Sequence, residues 1–210
     1  MVEKLRRNWI KLGKKYTTDV KPLESIWDEI EANYTDKKRH YHGLSHLNYM
    51  IDLTEENSDF LQDKDAVLFA VWFHDIVYKA TKSDNEEESA VIAIRTLQSI
   101  GVDNEKIKKV KDLILSTDGH KIITDSDEDN AYFLDFDLAI LGQDWSVYET
   151  YIQNIRKEYS IYPDLLYKLG RKKILSHFLD RETLYFTEKY RNLFEAKARE
   201  NLTREIKLLS

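Results

Sequence analysis

The sequence is 210 residues long and contains no cysteine, which excludes disulfides, zinc-thiolate sites, iron-sulfur clusters and thiol nucleophiles and leaves nitrogen and oxygen as metal donors. A formal charge of −6 removes the electrostatic footprint of an extended nucleic-acid surface, while a local basic pocket for one phosphate stays open. With only six glycines and no Gly-rich phosphate loop, Walker and dinucleotide-binding readings find no support, and 33% charged residues suit a helical chain long enough to bury a substantial core.

The first residues, Met1-Val2-Glu3-Lys4-Leu5-Arg6-Arg7, lack the apolar core of a signal peptide, and nothing later reads as a spanning segment, so a cytoplasmic location away from the membrane is expected. In chain order, periodicity predicts a charged amphipathic helix over 2–16, packing through Leu5, Trp9, Ile10 and Leu12, and a second over 22–34. A basic turn, Asp36-Lys37-Lys38-Arg39, leads into His40-Tyr41-His42-Gly43-Leu44-Ser45-His46-Leu47; a helix over 44–56 follows, with His42 just before its start and His46 in its first turns.

The stretch 66–78 is an almost unbroken apolar run into which His74 and Asp75 are set. It is too short to span a bilayer, which takes ~20 apolar residues, and being apolar on every side it reads as a helix over 65–78 buried among others. A carboxylate left unpaired there is unfavourable by several kcal/mol, and a metal ion shared with the adjacent imidazole is the simplest compensation.

Ser83-Asp84-Asn85-Glu86 is a capping-box pattern opening a helix that Gly101 ends. A helix over 103–116 buries Ile107, Val110, Leu113 and Ile114, and the acidic stretch 117–130 is irregular and carries His120. Segment 131–142 sets Asp135 and Asp137 among large apolar residues. Helices over 144–159, 163–179 (proline at its start) and 187–208 complete the chain. Strand signals are weak throughout, so the expected fold is all-α, an irregular helical bundle.

Adjacent helical residues point ~100° apart, so His74 and Asp75 share an ion only by bending toward the helix edge. Two further ligands are needed, and His46 and Asp137 are the candidates in apolar or helical settings. Such a two-histidine, two-carboxylate set suits divalent Mn, Mg, Fe, Co, Ni or Zn and, if octahedral, leaves two positions for water and substrate. His42 and His46, four apart, could bind zinc on their own, but Gly43 stands where a glutamate is expected; His42 is therefore a ligand-supporting or phosphate contact, or a surface histidine. Glu86 is either the capping-box residue or the group that activates a water. Arg156 and Arg171 offer guanidinium forks for phosphate or are solvated, and His40 and His177 read as structural.

His46, the His74-Asp75 pair and the distant Asp137 resemble the pattern of the HD superfamily of metal-dependent phosphohydrolases. The resemblance extends to Arg39-His40-Tyr41-His42, Asn85-Glu86-Glu87-Glu88-Ser89-Ala90, Asp135-Phe136-Asp137-Leu138-Ala139-Ile140-Leu141-Gly142, Arg156-Lys157-Glu158-Tyr159 and Gly170-Arg171, and points to a subgroup of predicted metal-dependent phosphohydrolases. It implies one HD-type domain over 1–210, with a metal-binding core about 40–142 completed by helices about 144–208. It also implies hydrolysis of a phosphate ester or anhydride of a small phosphorylated metabolite, a nucleotide or related anhydride being favoured, with the metal acidifying a water and polarising the phosphoryl oxygen. The family pattern favours Asp137 over Asp135 as ligand, leaving Asp135 to orient a ligand or water. In relatives with a wider site, a histidine placed like His120 contacts substrate phosphate or a second metal; here it is that or a solvent-exposed residue. Two other readings share the architecture. An HD-type di-iron oxygenase needs further ligands, for which only His120, His42 and Glu86 are at hand. A non-catalytic module would use the metal pocket to sense a nucleotide.

Overall fold

A computed structural model describes residues 1–123 and 128–209. Among them are ten α-helices, two short 3-10 turns and no strand, so the all-α expectation holds. No helix among the described residues is long and apolar enough to cross a membrane. The chain divides into two compact units, Met1–Phe133 and Leu134–Ser210.

The first unit contains α1 (Val2–Gly13), α2 (Val20–Tyr34), α3 (Leu44–Glu56), α4 (Lys64–Phe73), α5 (Asn85–Ser99), α6 (Asn104–Ser116) and the first half of α7 (Glu128–Leu138). Its core is α4, in which every residue from Ala66 to Phe73 is buried. That all-round burial is what the unbroken apolar run demands. Trp9 of α1 meets Phe69, Trp72 and Phe73 edge-on at 5.8–6.2 Å between ring centroids, and Trp27 of α2 meets Trp72 at 6.2 Å. Two buried aromatic polar groups here have partners: Trp9 Nε1 donates to the Leu23 carbonyl at 2.8 Å and the Tyr34 hydroxyl to the Trp72 carbonyl at 3.2 Å.

A charged network fastens the start of α4. Asp63 caps the helix by accepting from the Ala66 amide at 3.0 Å and pairs with Lys106. Asp129, fully buried, accepts from the amides of Gln62 and Asp63 at 2.7 and 2.8 Å and pairs with Lys109 at 2.6 Å. The opposite end corrects the sequence reading, because the helix expected over 65–78 stops at Phe73. His74 still donates its amide to Ala70, but the carbonyls of Asp75 and Ile76 accept from Arg39 and the amide of Val77 donates to Ser89 Oγ. With those backbone groups bonded outside the helix, nothing propagates it.

The second unit contains the turn Ala139–Gly142, α8 (Trp145–Glu158), α9 (Asp164–Leu179) and α10 (Glu188–Leu208). Asn201 of α10 donates to the carbonyls of Leu141 and Gln143, both at 2.8 Å. A Cβ on Gly142 would lie 2.4 Å from Phe194 Cβ, so only glycine permits this approach. A buried ion pair links α9 to α10: Arg171 Nε donates to Glu205 Oε1 at 2.7 Å, and Glu205 Oε2 accepts from the Tyr148 hydroxyl at 2.5 Å.

Candidate metal centre

Three of the sequence-predicted ligands converge in the first unit. His46 is the third residue of α3, His74 is the residue that closes α4, and Asp75 begins the turn beyond it. Both imidazoles are buried, at 4% and 2% exposure, while the Asp75 side chain keeps 18% and opens the cluster toward solvent. Adjacent helical residues point ~100° apart, and His74 keeps helical dihedrals (φ −56°, ψ −38°); the reach of the two side chains brings Asp75 Oδ2 to 3.1 Å from His74 Nε2. His46 Nε2 completes the triangle, 3.2 Å from His74 Nε2 and 3.7 Å from Asp75 Oδ2.

The chemistry of these atoms asks for a cation. His74 Nδ1 lies 3.0 Å from the Val71 carbonyl, which only accepts, so Nδ1 carries the hydrogen. In the neutral ring Nε2 is then a bare lone pair, facing the carboxylate oxygen of Asp75. Two acceptors at that distance repel unless a proton or a metal ion stands between them. A backbone carbonyl holding the far nitrogen of a histidine is also the usual support of a metal-bound imidazole. Ligands about 2.1 Å from one ion stand about 3.0 Å apart at right angles and about 3.4 Å apart in a tetrahedron; the separations of 3.1 and 3.2 Å fall in that range, and the 3.7 Å between His46 Nε2 and Asp75 Oδ2 is wider than it. His46, His74 and Asp75 thus form a group that could hold a metal ion. Burial pushes the Asp75 carboxyl up, but the neighbouring His74, His42 and His46 outweigh it and hold the group well below the usual carboxylate range.

Other expected residues surround this cluster. The His42 ring stacks on Tyr78 with centroids 4.0 Å apart and lies 5.9 Å from the His46 ring; Tyr41 lies 4.9 Å from both imidazoles. Glu86 is the second residue of α5, and the Ser83 capping box does not form, because Asp84 precedes the helix and no side chain caps it. The loop is closed instead by Asn85, whose side chain accepts from the Lys79 amide at 3.0 Å and donates to the Lys79 carbonyl at 3.1 Å. The Glu86 carboxyl is raised by burial, and the charges of Asp75 and Asp118 push the same way against its own backbone amide.

His120 is half-buried on the turn that ends α6, with φ of +48°, a left-handed conformation uncommon for a residue with a Cβ. Its amide donates to the Thr117 carbonyl at 3.1 Å. Residues 124–127 of the irregular stretch expected over 117–130 lie outside the described residues; α7 takes up its end from Glu128.

The remaining expected residues belong to the second unit. Asp137 is half-buried near the end of α7. Asp135 is fully buried and accepts from the Phe186 amide at 2.7 Å and from the Thr187 amide and hydroxyl at 2.9 and 2.7 Å, anchoring the start of α10. Burial raises its carboxyl to about 6 despite those donors. Arg156 pairs with Asp164 at 2.5 Å and donates to the carbonyls of Tyr159 and Tyr162. Arg171 is buried against Glu205 and Tyr151 rather than solvated. His40 and His177 are exposed.

The sequence reading gave no role to Arg39, Tyr78 or Ser89, although Arg39 and Ser89 stand in segments that carry the family resemblance. Ser89 is fully buried and both accepts from the Val77 amide at 3.1 Å and donates to the Val77 carbonyl at 3.3 Å. The available signal for Arg39 was its chemistry, since an arginine closing a lysine turn brings a donor fork that lysine lacks. Compared with known proteins, the sequence matches no family model and no curated protein.

Proposed function

We propose that the chain is a metal-dependent phosphohydrolase of the HD type that cleaves a phosphate ester or anhydride of a small metabolite, with nucleotides the favoured substrate class. The observation that carries the metal is the His74 ring: its Nδ1 is committed to the Val71 carbonyl, and its Nε2 faces Asp75 Oδ2 at 3.1 Å and His46 Nε2 at 3.2 Å. The sequence pattern carries the reaction class and adds Asp137 as the fourth ligand.

A divalent ion, Mn, Mg, Fe, Co, Ni or Zn, would supply Lewis acidity toward a phosphoryl oxygen and acidify a water. The protein's own groups do the rest. Glu86, whose carboxyl is raised and senses the charge of Asp75, takes the proton of the attacking water. His42, fixed against Tyr78 beside His46, donates to the phosphate, and His120, on the turn that also carries Asp118, is a second donor. Arg156 and Arg171, whose donors go to Asp164 and Glu205, brace the second unit and are given no substrate contact.

The test is phosphate release from a panel of nucleotides, sugar phosphates and pyrophosphate by metal-stripped protein resupplied with manganese, with Asp75→Ala run alongside. Release that needs metal and disappears in the variant supports the reading. Release without metal, or silence across the panel from metal-loaded protein, overturns it.

A further inference from the structure

The two segments that supply the ligand triangle are distant in sequence, and one side chain touches both. Arg39 Nη1 donates to the carbonyl of His42, just ahead of α3, at 3.2 Å and to the carbonyl of Asp75 at 2.5 Å, while Nη2 donates to the carbonyl of Ile76 at 2.9 Å. The guanidinium lies over the rings of Tyr34 and Tyr78 at 5.0 and 5.9 Å, and Tyr78 is the ring on which His42 stacks. All three acceptors are backbone carbonyls, so the side chain serves backbone geometry rather than charge neutralisation. Two of them belong to the turn after α4, where a continued helix would have bonded them internally.

From this geometry we infer that Arg39 is a positioning residue of the metal centre, an inference that rests on the metal reading proposed above. Its fork holds the turn that presents Asp75 against the chain entering α3, which presents His46, so the donor triangle is assembled before an ion arrives. The planar guanidinium reaches carbonyls on two segments at once, whereas the lysine ammonium is a point donor on a flexible stem and would keep the charge but lose the clamp.

The experiment compares Mn2+ affinity and the visible spectrum of the Co2+ form in wild type, Arg39→Lys and His74→Ala, with thermal melts to follow folding. The expected result is a melt as cooperative as wild type for Arg39→Lys, an affinity about 10- to 100-fold weaker, the range for lost outer-sphere partners of a metal ligand, and altered Co2+ bands. Added guanidinium ion restores Mn2+ affinity to Arg39→Ala, and methylammonium does not. Equal affinity of Arg39→Lys and wild type, with binding lost in His74→Ala, overturns the role of Arg39 alone. Wild type that binds neither Mn2+ nor Co2+ overturns the metal reading and this inference with it. Should the Arg39 variants fail to fold, hydrogen exchange on metal-free wild type decides. The amides of Ile76 and Val77, bonded to the Phe73 carbonyl and Ser89 Oγ at 3.1 Å each, are expected to be protected without metal, and exchange at unfolded-chain rates overturns a preassembled turn.

Discussion

The Nε2 atoms of His46 and His74 face each other at 3.2 Å in the interior of the first unit, while the Val71 carbonyl holds the His74 ring by its other nitrogen at 3.0 Å. Two imidazoles so arranged compete for one proton, and Asp75 Oδ2, 3.1 Å from His74 Nε2, turns that competition into a site receptive to a cation.

Ligand binding to the folded state alone raises its stability, so manganese returned to stripped protein at about 100 times its Kd is expected to add about 2.7 kcal/mol. For a chain of this size that is about 5–10 °C in Tm. His74→Ala abolishes the rise in differential scanning calorimetry. Asp137→Ala reduces it if the fourth ligand is the one the sequence pattern indicates, and leaves it unchanged if not.

In the role proposed for it Glu86 accepts a proton and must be ionised, and its carboxyl is raised by burial and by the charges of Asp75 and Asp118. The acid limb of the pH–rate profile is therefore expected above the ordinary glutamate value of about 4.3. Asp118→Asn removes one of the charges raising it and shifts the limb to lower pH. Glu86→Gln lowers turnover about 10²- to 10⁴-fold while metal content, measured by atomic emission, stays at the wild-type level.

Burial raises the Asp63 carboxyl, but the hydrogen bond from Lys106, the Ala66 amide and the charge of Lys109 outweigh it and hold the group below its ordinary value. The folded-state value being depressed, its stabilisation is complete above the unfolded-state value of about 3.9 and is lost as pH falls through the folded one. Asp63→Asn keeps an acceptor for the helix cap and gives a shallower decline of Tm between pH 4 and pH 3. Asp63→Ala removes the cap as well, destabilising by about 1 kcal/mol more at neutral pH. Thermal melts across pH 3–7 separate the two contributions.

Arg171 and Glu205 are a buried pair, 9% and 0% exposed, with the Tyr148 hydroxyl on the same carboxylate. Glu205→Ala strands the guanidinium in the interior and is expected to destabilise by about 3–5 kcal/mol, whereas the double replacement Arg171→Met, Glu205→Leu recovers most of that loss. Urea unfolding midpoints of the single and double variants provide the check.

Local information made much of this molecule legible. α3 runs from Leu44 to Glu56 as its periodicity predicts, and the His74-Asp75 pair stands out because two ionisable residues interrupt an apolar run. Chemistry at single positions, which a sequence displays directly, likewise singled out His46. The position of Glu86 was half legible: the Ser83 pattern suggested a cap, and the Asn85 bonds to Lys79 that displaced it join residues whose pairing no periodicity reports.

By itself, the sequence determined the helical class, the buried centre formed by α4 and the residue types available to a metal. Only the tertiary structure decided where α4 stops. No glycine or proline marks residue 74, and the turn there is held by an arginine 36 residues before Asp75. Arg171 is the same lesson, an arginine that looks solvated until Glu205, 34 residues on, takes its guanidinium. Side-chain periodicity records which faces are buried. It carries no trace of which backbone carbonyl a distant donor will claim, because every residue offers one.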